Sequence, residues 1–218
     1  MDYSDVTVVI PVKDEPATEK VTKAVMKTLQ NCKVIVIYNG KPNISLAHKN
    51  LRILKQTTRG KGHALVEAAK HVNTKIMCIV DGDDTYEIRD LKKLVELVRG
   101  GADMAIGDRM SNITLRSMPT YVQFGNNVLT FIGNLLFGMN IKDSQTGLRA
   151  IKTGVFRSLN LREPRFGIES EMNIKCKKNH FKIVEIPTRY YIRTGVSKQL
   201  KLLDGAKLFL LNFKLLFQ

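Results

Sequence analysis

Short apolar runs alternating with helical patterns constrain this chain more than any other feature. "VTVVIPV", "KVIVIYN", "LRILKQ", "KIMCIV" and "ADMAIGD" are each brief, and the first four are bounded by turn residues. Their β-branched content suits strands buried on both faces. The segments between them carry helical patterns from Pro16 to about Gln30, from Lys61 to about Val72, and from Glu87 to Arg99. Proline favours a first helical turn, and Gly100-Gly101 is a C-terminal stop. Strand and helix alternating in this way predict a doubly wound, mostly parallel sheet. At 218 residues the chain suffices for one α/β domain and is short for two. The second half is less regular. It reads as a long apolar helical stretch over 122–139, a helix over 168–178, a strand "FKIVEIP" and a closing amphipathic helix over 200–217.

In such sheets ligands bind beyond the carboxyl ends of the strands. That rule places Lys13 to Glu15, Asn39, Asp81 to Asp84 and Asp108-Arg109 along one edge. The most telling of these is "IVDGDDTYE", where a buried-looking run ends in three carboxylates. Two carboxylates one residue apart can share a hard cation, and Mg²⁺ and Mn²⁺ take oxygen ligands. Gly82 lets the backbone lie close to a ligand. Capping of the next helix by Asp84 or Thr85 explains one acidic residue but not all three. The same letters, Asp81-x-Asp83-x-Thr85, also resemble the nucleophile motif of haloacid-dehalogenase-type phosphatases. That family carries the motif on its first strand, and its later acidic pair would have to be "GDRMSN", with Asn112 in place of an aspartate.

The charge balance narrows the partners. Lys+Arg 35 against Asp+Glu 20 gives +15, which implies an anionic partner: nucleic acid, a phosphorylated substrate or an acidic membrane surface. No aromatic-basic interleaving or nucleic-acid motif is present, so no nucleic acid is expected. Cys32, Cys78 and Cys176 are widely spaced, which fits a reduced, cytoplasmic setting without disulfides or a zinc site. The first residues, acidic and then strand-like, do not read as a signal peptide, and no spanning helix is expected. "LKLLDGAKLFLLNFKLLFQ" keeps Lys201, Asp204, Lys207 and Lys214 near one stripe, as an interfacial helix does. The expected organisation is a catalytic domain over 1–199 and an amphipathic, membrane-interfacial helix over 200–218.

Eight segments occur in an order that resembles a known family: "VVIPVKDE", "RGKGHALVEAAK", "DGDD", "GDR", "DSQTGLRA", "GIESEM", "VEIPTRY" and "RTGVSK". The chain resembles family 2 glycosyltransferases of GT-A fold, and among them the polyprenyl-phosphate sugar synthases of the dolichol-phosphate mannosyltransferase type. The resemblance implies inverting, metal-dependent transfer of a hexose from a nucleotide-diphosphate sugar, of GDP-mannose or UDP-glucose type, to a polyprenyl phosphate. It implies that Asp81 and Asp83 hold Mg²⁺ or Mn²⁺ against the donor diphosphate. Pro11, Asp14 and Glu15 fall in the segment around the nucleotide base, and Lys61 lies near the nucleoside; Gly60 and Gly62 around it resemble a phosphate or ribose cradle, where the plain alternative is a helix start. Arg109 follows the fifth strand. Asp143 corresponds to a residue proposed as base in some members, and Arg193 and Lys198 to a basic motif associated with phosphates. Asn39 stands where many relatives carry an acidic nucleoside contact, which leaves the base open. A second reading keeps the fold but uses a hydroxyl acceptor. The family's role on the cytoplasmic face of a membrane accords with the basic charge and the last helix.

None of His48, His63, His71 and His180 has an evident catalytic partner in these motifs. A hydroxyl acceptor needs a base, whereas a phosphate monoester is already ionised near neutral pH. Such an acceptor needs placement and charge balance more than deprotonation.

Overall fold

The computed structural model describes residues 1–113, 117–193 and 202–217, with side chains from Leu208 onward in the last segment. Seven strands form one sheet: β1 (Val6–Lys13), β2 (Lys33–Asn39), β3 (Leu51–Lys55), β4 (Ile76–Ile79), β5 (Met104–Asp108), β6 (Arg149–Lys152) and β7 (Ile183–Pro187). Their spatial order is β3-β2-β1-β4-β6-β5-β7. All neighbours are parallel except β6, which runs antiparallel to both β4 and β5. The expected alternation therefore holds with two differences, and β3, expected to be buried on both faces, is instead an edge strand with no buried residue. No helix joins β2 to β3, where "GKPN" introduces Gly40 and Pro42. Strand β6 wedges into the parallel order; it has four residues, two of them basic, and no alternating pattern announces it.

The period of two along each strand divides the core. Val6, Val8, Ile10 and Val12 of β1 join Val34 and Val36 of β2 and Cys78 of β4 on one face. Helices α1 (Thr18–Thr28) and α3 (Asp90–Arg99) cover that face through Val21, Val25, Leu91, Leu94 and Val98. Val9, Ile35, Ile37, Met77 and Ile79 point the other way. Helices α2 (Lys61–Ala69), α4 (Thr120–Phe137), α5 (Thr153–Ser158), α6 (Ile168–Lys178) and α7 (Leu202–Leu216) pack there. The last of these contributes Leu208, Leu211 and Leu215 to the core beside α4 and α6. Among the described residues no helix is long and apolar enough to cross a membrane.

One local feature opens the sheet where the site lies. The β1–β4 ladder ends at Val9 and Ile79, and Val80 N–H still donates to Val9 O at 3.2 Å. Pro11, two residues on, presents the same side of β1 but has no N–H to donate. Nothing is lost, because β4 has already turned away. The crevice between β1 and β4 is also where the strand order reverses, the position at which open α/β sheets bind ligands.

Candidate functional site

The turn after β4 carries the three aspartates, and each meets a different cation. Asp81 Oδ1 lies 2.6 Å from Lys61 Nζ, at the start of α2. Asp83 Oδ2 lies 3.5 Å from Arg193, and Asp83 Oδ1 accepts from Thr85 Oγ1 at 2.7 Å. Asp84, with φ at +61°, pairs with Lys20 on α1. The expected capping role is not what the structure shows: α3 begins at Asp90 and has no side-chain cap. Gly82 explains how the turn reaches the crevice, since a Cβ there would stand 2.4 Å from Val12 Cγ1. Across the turn the "DSQTGLRA" loop comes as close. A Cβ on Gly147 would stand 2.2 Å from Asp81 Oδ2, and Gly147 N–H donates to Tyr86 Oη at 2.7 Å.

Electrostatics mark this turn as strained by charge. Burial raises the Asp83 carboxyl above its ordinary pKa, and repulsion from Asp81 adds to it; the Thr85 hydrogen bond and Arg193 oppose both. Burial alone would depress the Lys61 ammonium, but Asp81 and Glu169 outweigh it and hold the group above the usual lysine range. A divalent cation fits this donor set, because it would relieve the repulsion between two hard oxygen ligands that share one turn. Among the described residues no group of three or more His, Cys, Asp and Glu gathers into a ready cage. Two carboxylates, with the remaining positions left to water and phosphate oxygens, suit Mg²⁺ or Mn²⁺.

The ends of β1 and β2 form the neighbouring wall. Pro11 is half-buried in β1, and Asn39, the last residue of β2, is half-buried opposite Lys13. Asp14, at φ +53°, accepts from Lys41 N at 2.9 Å and so ties the two strand ends together. Glu15 is buried and bonds to the Arg193 guanidinium, which bridges it to Asp83.

The glycines around Lys61 serve a different purpose from the phosphate or ribose cradle they resemble. The N–H groups of Gly62 and His63 both donate to Pro164 O, at 3.1 and 3.3 Å. A Cβ on Gly60 would stand 2.1 Å from Pro164 O, and one on Gly62 would stand 1.8 Å from Glu163 O. The glycines admit the chain's own backbone. Glu171 fixes that backbone by accepting from Arg162 N and Glu163 N, at 2.8 to 3.0 Å, and pairs with Lys175. Glu169 and Glu171 are both buried, and each pairs with a lysine.

A second buried assembly stands beside the turn. Arg109 Nε and Nη2 grip Asp143 at 2.6 and 2.9 Å, and Arg109 N–H donates to the same carboxylate at 3.1 Å. Asp143 is fully buried, and Arg109 also lies 5.2 Å from the Tyr190 ring centroid. Glu185 on β7 holds the loop by accepting from Lys142 N and Asp143 N. Arg149, wholly buried on β6, donates to Thr146 O, Ser144 O and Asn173 Oδ1. Sequence reasoning did not single out Arg149, Tyr86 or Tyr190, although "DSQTGLRA" and "VEIPTRY" contained two of them. Lys198 and Lys201 lie outside the described residues.

Comparison with known proteins agrees with this geometry. Glycosyltransferase AglJ of Haloferax volcanii is 32% identical over 142 residues, covering 65% of this chain and 47% of that protein. A dolichyl-phosphate hexose transferase of the same organism is 28% identical over 147 residues, covering 67% of this chain and 64% of that protein. The chain thus spans about half of the first relative and just under two thirds of the second. In three dimensions it superposes on glucosyl-3-phosphoglycerate synthase from Mycobacterium tuberculosis in complex with Mn²⁺, UDP and phosphoglyceric acid. The TM-score is 0.74 at 14% identity, over 97% of this chain and 78% of that one, a likeness of GT-A fold alone. The sequence model described as glycosyl transferase family 2 matches residues 7–159, from β1 through α5 and across the whole aspartate turn. With sheet, turn and sequence model in agreement, the chain belongs to glycosyl transferase family 2.

Proposed function

We propose that this glycosyltransferase moves a hexose from a nucleoside-diphosphate sugar to a polyprenyl (dolichyl) phosphate, inverting the anomeric centre. The observation that carries the reading is the Asp81–Asp83 pair in the β1–β4 crevice, flanked by Lys61 and Arg193. Asp81 and Asp83 would hold Mg²⁺ or Mn²⁺, which when bound offsets the charge growing on a departing diphosphate. Pro11, Asp14, Glu15, Asn39, Lys61 and Gly82 line the strand ends where the nucleoside and diphosphate would lie. Membership of a glycosyltransferase family displaces the phosphatase alternative for Asp81 and Asp83.

The acceptor follows from what Asp143 does. A hydroxyl acceptor would need a base, and the carboxylate offered for that role has both oxygens on Arg109. An ionised phosphate needs no base. Arg109, held rigid by Asp143, together with Arg193 and Lys198, supplies cations for it, arginine in a planar fork and lysine as a point charge. A dolichyl-phosphate hexose transferase among the relatives supports the same acceptor class. The lipid tail gives meaning to exposed apolar groups on α4 and α7, among them Phe124, Phe131, Leu135 and Leu210. They would rest on the cytoplasmic face of a membrane.

The test combines purified protein, detergent-dispersed dolichyl phosphate and labelled GDP-mannose or UDP-glucose, with and without Mn²⁺. Labelled glycolipid that requires the metal and vanishes in Asp83→Ala, in protein that still melts cooperatively, is the expected result. Transfer that survives either Asp83→Ala or chelation would sink the metal assignment. Sugar transfer only to a hydroxyl acceptor would replace the lipid phosphate.

A further inference from the structure

Helices α1 and α3 cover the sheet face opposite to α4 and α7, and a groove of about 660 Å³ lies between them. Sites for small molecules occupy about 300–1,000 Å³. Four cations line this one: Lys20 and Lys27 of α1, and Arg89 and Lys92 at the start of α3. Only two carboxylates stand with them, and both are engaged. Asp84 pairs with Lys20. Glu87 accepts from Tyr191 Oη at 2.8 Å and from Arg89 N at 3.2 Å, and lies 3.9 Å from Arg89 Nε. Lys27 and Lys92 are exposed and have no hydrogen bond or ion pair among the described residues. The groove therefore holds two positive charges that the chain leaves unanswered.

The lining is not only charged. Ala24 and Ile88 are half-buried and buried beside the cations, while Tyr191 and Ile192 are 41% and 63% exposed. Tyr191 is held at both ends, since its N–H donates to Thr85 O at 2.7 Å and its hydroxyl to Glu87. A fixed ring next to cations suits a ligand that joins an anionic head to a planar or apolar body. A phosphate monoester carries about two negative charges near neutral pH, which matches Lys27 and Lys92. The sheet separates the groove from α4 and α7, so a lipid phosphate met by those helices does not reach it. The geometry points to a second anion site in this groove, one that takes a soluble phosphate monoester with a planar or apolar body. Asp84 is its internal competitor, because an incoming phosphate must take Lys20 from it. The site is separate from the β1–β4 crevice, and the inference stands whether or not the sugar-transfer reading does.

Saturation-transfer NMR titration of the full chain with phenyl phosphate and with inorganic phosphate tests this. Phenyl phosphate is expected to bind about threefold or more tightly than inorganic phosphate, because its ring covers apolar surface. Lys27→Ala with Lys92→Ala is expected to weaken phenyl phosphate about fivefold or more. Lys23→Ala with Lys93→Ala removes the same charge from the same two helices outside the groove, and is expected to change it less than about twofold. All four side chains are exposed, so both pairs are expected to melt like the wild type. Asp84→Asn is expected to tighten phenyl phosphate about twofold or more by freeing Lys20. Equal weakening by the two lysine pairs would reduce the effect to net charge and overturns the inference. So does a wild type that binds neither probe or prefers neither, or an Asp84→Asn variant that binds more weakly. Sedimentation with phosphatidic acid vesicles is expected to fall equally for both lysine pairs; a loss confined to Lys27 and Lys92 would give the groove to a lipid head group. Tighter binding of hexaglutamate than of phenyl phosphate would give it to an acidic protein. Either result overturns the assignment to a soluble monoester.

Discussion

Arg109 and Asp143 show how much a single pair decides. Burial alone would depress the guanidinium, but the Asp143 charge outweighs it and holds Arg109 well above its ordinary pKa. Taking away one member of a buried ion pair leaves the other uncompensated and costs about 3–5 kcal/mol. Asp143→Ala is therefore expected to lower stability by about that amount in urea denaturation. Arg109→Met combined with Asp143→Leu is expected to cost much less than the two single changes together, since no charge is left stranded. Additive losses would show that the pair is not coupled. The cysteines give a second check at this scale. Burial pushes the Cys32 and Cys176 thiols up to about 12, and Cys78 higher still. A thiol this far above the working pH presents almost no thiolate. Ellman's reagent at pH 8 is expected to find no fast-reacting thiol in the native chain and all three cysteines after unfolding.

At the scale of elements, legibility tracked the range of the interaction. Strands β1, β2, β4 and β5 were readable because their burial on both faces leaves short, largely apolar runs, rich in β-branched residues in β1 and β2. The stop of α3 at Gly100 was readable from two adjacent glycines. Strand β6 was not, because its buried Arg149 makes a core position look like a surface one; the carbonyls of Ser144 and Thr146 and the Asn173 side chain satisfy the guanidinium. In the site, Asp81 and Asp83 are neighbours and announced themselves. Their partners Lys61 and Arg193, and Glu169 that shares Lys61 with Asp81, come from distant segments, so the ion pairs exist only once the sheet has formed. The glycines beside Lys61 admitted two readings, since glycines that admit a backbone look the same in sequence as glycines that admit a phosphate. Gly62→Ala separates the two. Alanine improves intrinsic helix propensity by about 1 kcal/mol, yet its Cβ would collide with Glu163 O. The expected net effect is a loss of about 1–3 kcal/mol, read as a lower melting temperature without nucleotide present. A stabilised variant would return those glycines to a ligand-facing role.

For the whole molecule, a chain of net charge +15 has to meet the lipid phosphate proposed as its acceptor. Amphipathicity made the last helix legible as a helix with an apolar face, but not the share of that face that the core claims. Leu208, Leu211 and Leu215 are buried against α4 and α6, while Phe209, Leu210 and Phe213 remain exposed. Helix α4 adds Phe124, Phe131 and Leu135 at helical spacing, and Phe124 and Leu135 are each 70% exposed. An apolar face on helices that touch one another is more than scattered surface residues require. Burying such side chains at a bilayer surface contributes through area, and the basic charge adds attraction to anionic head groups. The two contributions respond differently to salt, because only the second is screened. Wild-type protein is expected to sediment with vesicles containing phosphatidylserine, and more weakly at 1 M salt, where the Debye length shrinks to about 3 Å. Phe124→Glu with Phe131→Glu is expected to abolish sedimentation at either salt level while leaving the melting temperature within a few degrees, since both side chains already face outward. Leu211→Glu is expected to lower the melting temperature sharply instead, because it places a charge in the core. Vesicle binding that survives the double change on α4 would confine any membrane contact to α7 and the basic surface, and would leave the exposed stripe of α4 to some other partner.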